Sequence, residues 1–307
     1  MPLTLNQINA ITEKKFIPKL QDNVFDSIAL FQRMKKGEGY KKIDGGEKIV
    51  QPLEYAQTSA AGTYAGADVL STTDNETFTG AQFDWKQYFA NISITGIDKL
   101  KNAGEAQVID FVKAKVKNAE RTLIDLLAAG LWSAGTDPKA LLGLRFVGAN
   151  SNSVGGISQT DYSWWRVQAD STTTALTLPF LKEFYEDAVV DSNGPSVFAS
   201  NRALHNAYFN LLQPQQRFTD KASADGGFQS LMFMGKPWLV DHKAPANHLV
   251  GIDEKFMSLH VHRECDMKFL PFVRPINQDV ESAKVLWAGA LTYSNLRHIA
   301  FASALVG

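Results

Sequence analysis

The stretch that most constrains this chain runs from Asn102 to Ser133, NAGEAQVIDFVKAKVKNAERTLIDLLAAGLWS. Apolar residues recur at Ile109, Val112, Val116, Ala119, Leu123 and Leu127, in steps of three and four that form one stripe of an α-helix. Asp110, Lys113, Lys117, Glu120 and Arg121 fall largely off the stripe, a polar face that is solvated or meets another chain. Asn102 and Glu105 have N-cap and N3 chemistry, and Gly135 and Pro138 supply the stop. At ~1.5 Å per residue the helix over 103–132 is about 45 Å long, well beyond the usual three turns or so. Its second half, Leu126 to Trp132, is apolar nearly all round and is expected to be buried. One long helix among strand-like sequence is a spine.

Before the spine, residues 1–36 read as an arm. Val24, Phe25, Ile28 and Phe31 suggest a short amphipathic helix begun near Asp22, after Pro18. Gly45-Gly46 reads as a turn and Glu47 to Tyr55 as a strand. Thr58 to Asp74 is rich in Ala, Ser, Thr and Gly and poor in large apolar residues, a composition suited to a projecting hairpin. Phe83 and Trp85 share one parity; Tyr88, Ala90, Ile92 and Ile94 share the other, which predicts a bulge near Lys86-Gln87. After the spine, Gly148 to Gly156 is loop and Leu176 to Val190 a helix with Leu178, Leu181, Phe184, Tyr185 and Val189 on one side. Pro195 to Ala199 is a strand, and a helix over Asn201 to Gln213 is capped by Ser200. Phe228 to Met234, Lys236 to Val240, His248 to Ile252, Met257 to His262, Met267 to Val273, Ala283 to Tyr293 and His298 to Leu305 read as strands. Strands and helices do not alternate regularly, so the class is α+β.

Composition excludes several functions. A chain of 307 residues with a hydrophobic fraction of 45% can bury a large core. A net charge of −1 argues against a dedicated nucleic-acid binder, which needs clustered Lys and Arg. No apolar run approaches the ~18 residues of a membrane span. The N-terminus lacks a basic region followed by an apolar one, so no signal peptide is expected. Cys265 is alone, which forbids an intrachain disulfide and points to folding in a reducing compartment.

The chemistry-bearing residues do not converge on a catalytic set. Gly235-Lys236 is followed by Pro237 and preceded by Ser230 where a P-loop requires Gly, and there is no G-x-S-x-G elbow or dinucleotide fingerprint. Cys265 near His262 raises a nucleophile–base pair that sequence proximity alone does not support. His260 and His262 alternate along a strand and could share a zinc, with His242, Glu264 or Asp266 as a third ligand. No spaced second cluster completes the set, so HVHRECD reads as two half-exposed histidines among charged neighbours. Glu183, Glu186 and Asp187 form a solvated helix face. Trp164-Trp165-Arg166 could stack a base beside a phosphate, but paired indoles next to a glycine loop read as buried anchors or interface residues. Lys14-Lys15, Lys35-Lys36 and Lys41-Lys42 are offset by Glu13, Glu38, Asp44 and Glu47. No catalytic residue, metal or cofactor is expected.

Several stretches resemble the major capsid proteins of tailed bacteriophages. They are FIPKLQDNVFDSIALFQRMKK, GGEKIVQPLEYAQ, Leu142-Gly143-Leu144 followed by Val154-Gly155-Gly156-Ile157, Tyr162-Ser163-Trp164-Trp165-Arg166, Gly235 to Asp241, and Ala288 to Tyr293. The resemblance implies the Hong Kong 97 capsid fold: an N-terminal arm (1–45), an extended β-hairpin loop (46–82), a peripheral domain (83–139 and 256–291) with the spine helix 103–132, and an α/β axial domain (140–255 and 292–307). It implies a non-enzymatic protein that folds in the host bacterial cytoplasm and ends in the virion, as pentamers and hexamers of an icosahedral shell. Scaffolding is expected to be separate or absent, portal and decoration proteins are further partners, and packaged double-stranded DNA is touched only weakly. Nothing identifies a Lys–Asn cross-link, and encapsulins share the fold. The residues expected to touch neighbouring copies are Phe25, Ile28, Phe31, Tyr55, Tyr64, Trp164, Trp165 and Arg166. On physical grounds, a thin subunit with a projecting hairpin and a detached arm needs neighbours to cover its apolar surface.

Overall fold

The structure is a computed structural model that describes residues 28–37, 39–101, 111–191, 193–216 and 231–307. The expectations placed on Asp22, Val24, Phe25, Asn102, Glu105, Ile109 and Asp110, and on residues 228–230, lie outside the described residues. In chain order come α1 (Ala29–Lys36), β1 (Tyr40–Ile43), β2 (Ile49–Glu54), β3 (Phe78–Phe83), β4 (Lys86–Thr95), α2 (Gly96–Lys101) and the spine α3 (Phe111–Leu131). Then follow α4 (Leu144–Gly148), β5 (Ser153–Val154), β6 (Ile157–Ser158), β7 (Gln168–Asp170), β8 (Thr174–Ala175), α5 (Leu178–Asp187), β9 (Val197–Ser200) and α6 (Arg202–Gln216). The chain ends with β10 (Met232–Phe233), β11 (Lys236–Val240), β12 (Leu249–Ile252), β13 (Met257–His262), β14 (Lys268–Val273), β15 (Val280–Tyr293), β16 (Ile299–Ala302) and β17 (Leu305–Val306).

The spine lies on a sheet built around β15. One edge of β15 pairs with β4 without a break, from Gly289↔Lys86 to Val280↔Thr95. Its other edge pairs first with β14 and then with β13, which carries β1 in parallel. Side chains alternate across the sheet, so Ala90, Ile92 and Ile94 of β4 and Ala283, Val285 and Trp287 of β15 are buried in one core with Ala119, Leu123, Leu127 and Leu131 of the spine. On the opposite parity of β4, Gln87, Phe89, Asn91 and Ser93 are exposed. The bulge expected near Lys86-Gln87 is absent. The parity change marks the passage from β3, which pairs with β2, into β4, which belongs to the spine sheet.

Two further expectations need correction. Val112 and Leu126 are 38% and 43% exposed, although both fall within the apolar surface expected to be covered. Val112 continues the stripe of Leu123 and Leu126 stands at the margin of that stripe, and among the described residues neither is fully covered. The end of the spine is tightly fitted instead. Gly130 brings the helix against the Tyr88 hydroxyl, 2.9 Å from where a Cβ would stand, and that hydroxyl accepts a hydrogen bond from Leu141 N (2.9 Å). A Cβ on Gly143 would overlap the Ser133 nitrogen and the Gly130 and Leu131 carbonyl oxygens. The Leu142-Gly143-Leu144 motif therefore lets α4 start against the last turn of α3.

A second sheet has the order β10-β11-β9-β12-β16-β7. Its central strands β9, β12 and β16 are buried at every position. Leu181 and Phe184 of α5 and Leu204 and Tyr208 of α6 join Phe198, Trp238 and Leu249 in one apolar cluster, with Tyr208 stacked on Trp238 at 4.6 Å. Thr177 caps α5 by accepting from Phe180 N (3.3 Å), and Val189, placed inward from its spacing, is 37% exposed beyond the helix end. Ser200 does not cap α6: its hydroxyl accepts from the Trp238 indole (2.7 Å), and the Asn201 carbonyl oxygen Oδ1 accepts from Leu204 N (3.0 Å) instead.

Candidate assembly interface

Strands β2 and β3 form a two-stranded hairpin in register from Ile49↔Phe83 to Glu54↔Phe78. One face is anchored: Ile49, Leu53, Ala81 and Phe83 are buried in the main core. The anchor continues onto the β5–β6 turn, where Gln82 N donates to the Gly155 carbonyl (2.8 Å). Gly155 has a φ of +62°, and a Cβ there would stand 2.7 Å from the Ala81 Cβ, so only glycine permits this approach. Beyond Tyr55 the character changes, and all ten residues from 61 to 70 are exposed. Tyr64, Val69, Leu70 and Phe78 are 66%, 99%, 58% and 71% exposed. The segment from Tyr55 to Phe78 carries Asp68, Asp74 and Glu76 and no Lys or Arg. The hairpin is thus an acidic, apolar projection on a rigid base. Val69, Leu70 and Phe78 escape a reading based on average composition because they are scattered among small residues.

The aromatic residues expected at an interface divide into three groups. Tyr64 projects from the hairpin. Tyr55 stacks on Trp164 (centroids 5.3 Å apart, 24°), and Tyr162 and Trp165 flank Trp164 at 5.9 Å each. Trp165 is 1% exposed and donates to the Val154 carbonyl (2.9 Å), so its ring is covered by this chain itself. Arg166 donates to the Gln159 carbonyl (2.7 Å) and the Thr160 carbonyl (2.6 Å), which commits its guanidinium to the loop beside it.

The arm helix is not detached. Ile28 and Phe31 are buried with Leu30 and Met34 in the main core. Ile28, at the N-cap, has no side chain that can accept a hydrogen bond. The cap comes from Asp241, whose Oδ2 accepts from Leu30 N (3.3 Å) and whose Oδ1 accepts from Lys243 N (2.8 Å). Burial pushes the Asp241 carboxyl above its usual range, opposed by these backbone donors. Farther along, Arg33 makes a bidentate pair with Glu254 (2.7 and 2.8 Å). Asp241 and Glu254 lie more than 200 residues from their partners, so no local pattern announces them.

The two histidines share the expected strand face without forming a centre. The His260 ring nitrogen Nδ1 is 2.8 Å from the Thr292 hydroxyl; His262 Nδ1 accepts from Glu264 N (3.2 Å), and its ring meets Trp85 edge-on. No group of three or more His, Cys, Asp or Glu suited to a metal occurs among the described residues. A cleft of about 690 Å³ opens where β4 meets β15, lined by Trp85, Phe89 and Leu286 together with Lys86, Lys139 and Lys284. No helix among the described residues is long and apolar enough to cross a membrane.

No family model matches the sequence, and no curated protein matches it. Solved structures do. The chain superposes on the capsid asymmetric unit of cyanophage A-1(L) with a TM-score of 0.70 at 15% identity, covering 96% of this chain and 97% of that one. The capsid of the empty GTA particle matches with a TM-score of 0.69 at 10% identity, over 100% and 99%. The holo-SrpI encapsulin of Synechococcus elongatus PCC 7942 matches with a TM-score of 0.60 at 10% identity, over 99% and 96%. The chain therefore has the α+β fold of tailed-phage capsid subunits, the Hong Kong 97 fold.

Proposed function

We propose that this protein is a structural shell subunit, the major capsid protein that encloses the genome of a tailed bacteriophage. The observation that carries the reading is the hairpin: a rigidly based projection with large apolar side chains that stay exposed among the described residues, on a fold shared with the solved cyanophage A-1(L) capsid. Leaving Tyr64, Val69 and Leu70 in water is unfavourable by roughly 25 cal/mol per Å² of apolar area, and a neighbouring copy relieves it. Opposite charge supports the same partner, since the acidic segment 55–78 complements the lysine-lined cleft between β4 and β15. Repeated around closed rings of five and six, that contact tiles a surface. Portal, scaffolding and decoration proteins are further partners in this reading, and DNA is enclosed rather than gripped.

Expression of the chain alone, followed by sedimentation and negative-stain microscopy, tests the reading. Pentamers, hexamers or closed shells are the expected result, and a strictly monomeric protein at every salt concentration would sink it. The likeness to an encapsulin supports a second reading, a compartment loaded with protein cargo. Nuclease-protected DNA in particles from the native source decides for the phage capsid, and a co-purifying enzyme for the compartment.

A further inference from the structure

The hairpin leaves the body of the subunit at an aromatic contact, Tyr55 on Trp164. Tyr55 stands at the last rung of the hairpin ladder, where its N–H donates to the Thr77 carbonyl (3.0 Å). Its ring lies nearly flat on Trp164, the outermost ring contact between hairpin and body among the described residues. Trp164 is itself held. Tyr162 and Trp165 flank it, and Trp165 is locked by burial and by its bond to Val154 on the β5–β6 turn that also grips β3. The half-buried Trp164 therefore backs the hairpin on one side, while residues 61–70 beyond it touch solvent. Small angular changes at this point become large displacements. Gly66 is eleven residues past Tyr55, a reach of at most ~36 Å, so a pivot of about 10° moves the tip by about 6 Å, the width of a side chain.

We infer that Trp164 is a positioning residue: its stack on Tyr55 is a stop that fixes the pitch of the hairpin, and through that pitch the angle between neighbouring subunits and the size of the particle. The inference rests on the shell reading for its second half only. The stop itself is a property of the single subunit.

Two measurements separate these halves. In a Cys265→Ser background, spin labels at Ala67→Cys and Lys139→Cys report the distance from tip to body in unassembled protein. A single narrow distance is expected for the parent and for Trp164→Phe, and loss of that narrow distance for Trp164→Ala and Tyr55→Ala. The double variant should be no broader than either single variant, because both remove one contact. An unchanged distance in Trp164→Ala overturns the stop. Particle diameters by electron microscopy form the second measurement: uniform for the parent and Trp164→Phe, and spread over several sizes for the alanine variants. Parent-sized particles from Trp164→Ala with a broadened tip distance overturn the size-setting role. Failure of the parent itself to form particles refutes the shell reading and with it that role, and leaves the stop to be decided by the spin-label distance.

Discussion

The Asp241 carboxylate accepts a hydrogen bond from the backbone N–H of Leu30, across 211 residues of sequence, and supplies the cap that Ile28 cannot. A helix start with no local acceptor leaves donors unpaired, and in a buried site that is costly. The same carboxylate also takes the Lys243 N–H and faces the Trp132 indole, at the point where the arm meets both sheets.

Asp241→Ala is therefore expected to destabilise the subunit by about 1–3 kcal/mol in urea unfolding. Hydrogen exchange should quicken first over Leu30 to Met34. Exchange that quickens uniformly, or not at all, would show that the arm does not depend on this cap.

The pH dependence at this position has a definite sign. Burial raises the folded-state pKa of Asp241, so folding takes up a proton, and acidification through that raised value favours the folded state. Asp241→Asn keeps an acceptor oxygen without the charge. On lowering the pH from neutrality, the stability difference between the two should move in favour of the parent, and a constant difference would mean the carboxyl is not perturbed.

Three histidines act in the other direction. Burial lowers the pKa of His205, His260 and His298 below the ordinary 6.5. The unfolded chain then binds protons that the folded one refuses, so their contribution is intact above about pH 6.5 and fades below it, by up to about 1.4 kcal/mol per pH unit for each. His298 stacks on Phe256 at 4.1 Å, and His298→Phe keeps that ring contact. A shallower fall in stability between pH 6.5 and 5 is expected, and an unaltered slope would exclude His298 as a contributor.

Gly143→Ala and Leu123→Asp probe the spine. The first should cost about 1–3 kcal/mol, because the added methyl meets backbone atoms that cannot move aside. Gly156→Ala, at a φ of +82° in open space, is the control, strained but unclashed. Leu123 is fully buried, and an aspartate there should exceed about 4 kcal/mol and abolish folding. A folded Leu123→Asp subunit by circular dichroism would contradict the buried stripe.

Deleting residues 58–74 should leave the unfolding midpoint of the subunit unchanged and abolish assembly. The segment's hydrogen bonds, such as Asn75 to Ser59 and Gln57, stay within the hairpin. Normal particles from this deletion would remove the hairpin from the interface.

The sequence by itself determined whatever rests on near neighbours. The three–four spacing of Ala119, Leu123 and Leu127 chose the buried face of the spine, alternation from Tyr88 to Ile94 chose the buried face of β4, and small residues over 58–74 marked a projection with no core of its own. Tertiary structure decided what depends on distant partners: that Asp241 and Glu254 hold the arm, that Trp165 turns inward while Trp164 backs Tyr55, and that Val112 and Leu126 stay partly uncovered. Periodicity shows which face of an element is apolar, but capping, stacking and coverage depend on what the folded chain brings to that face.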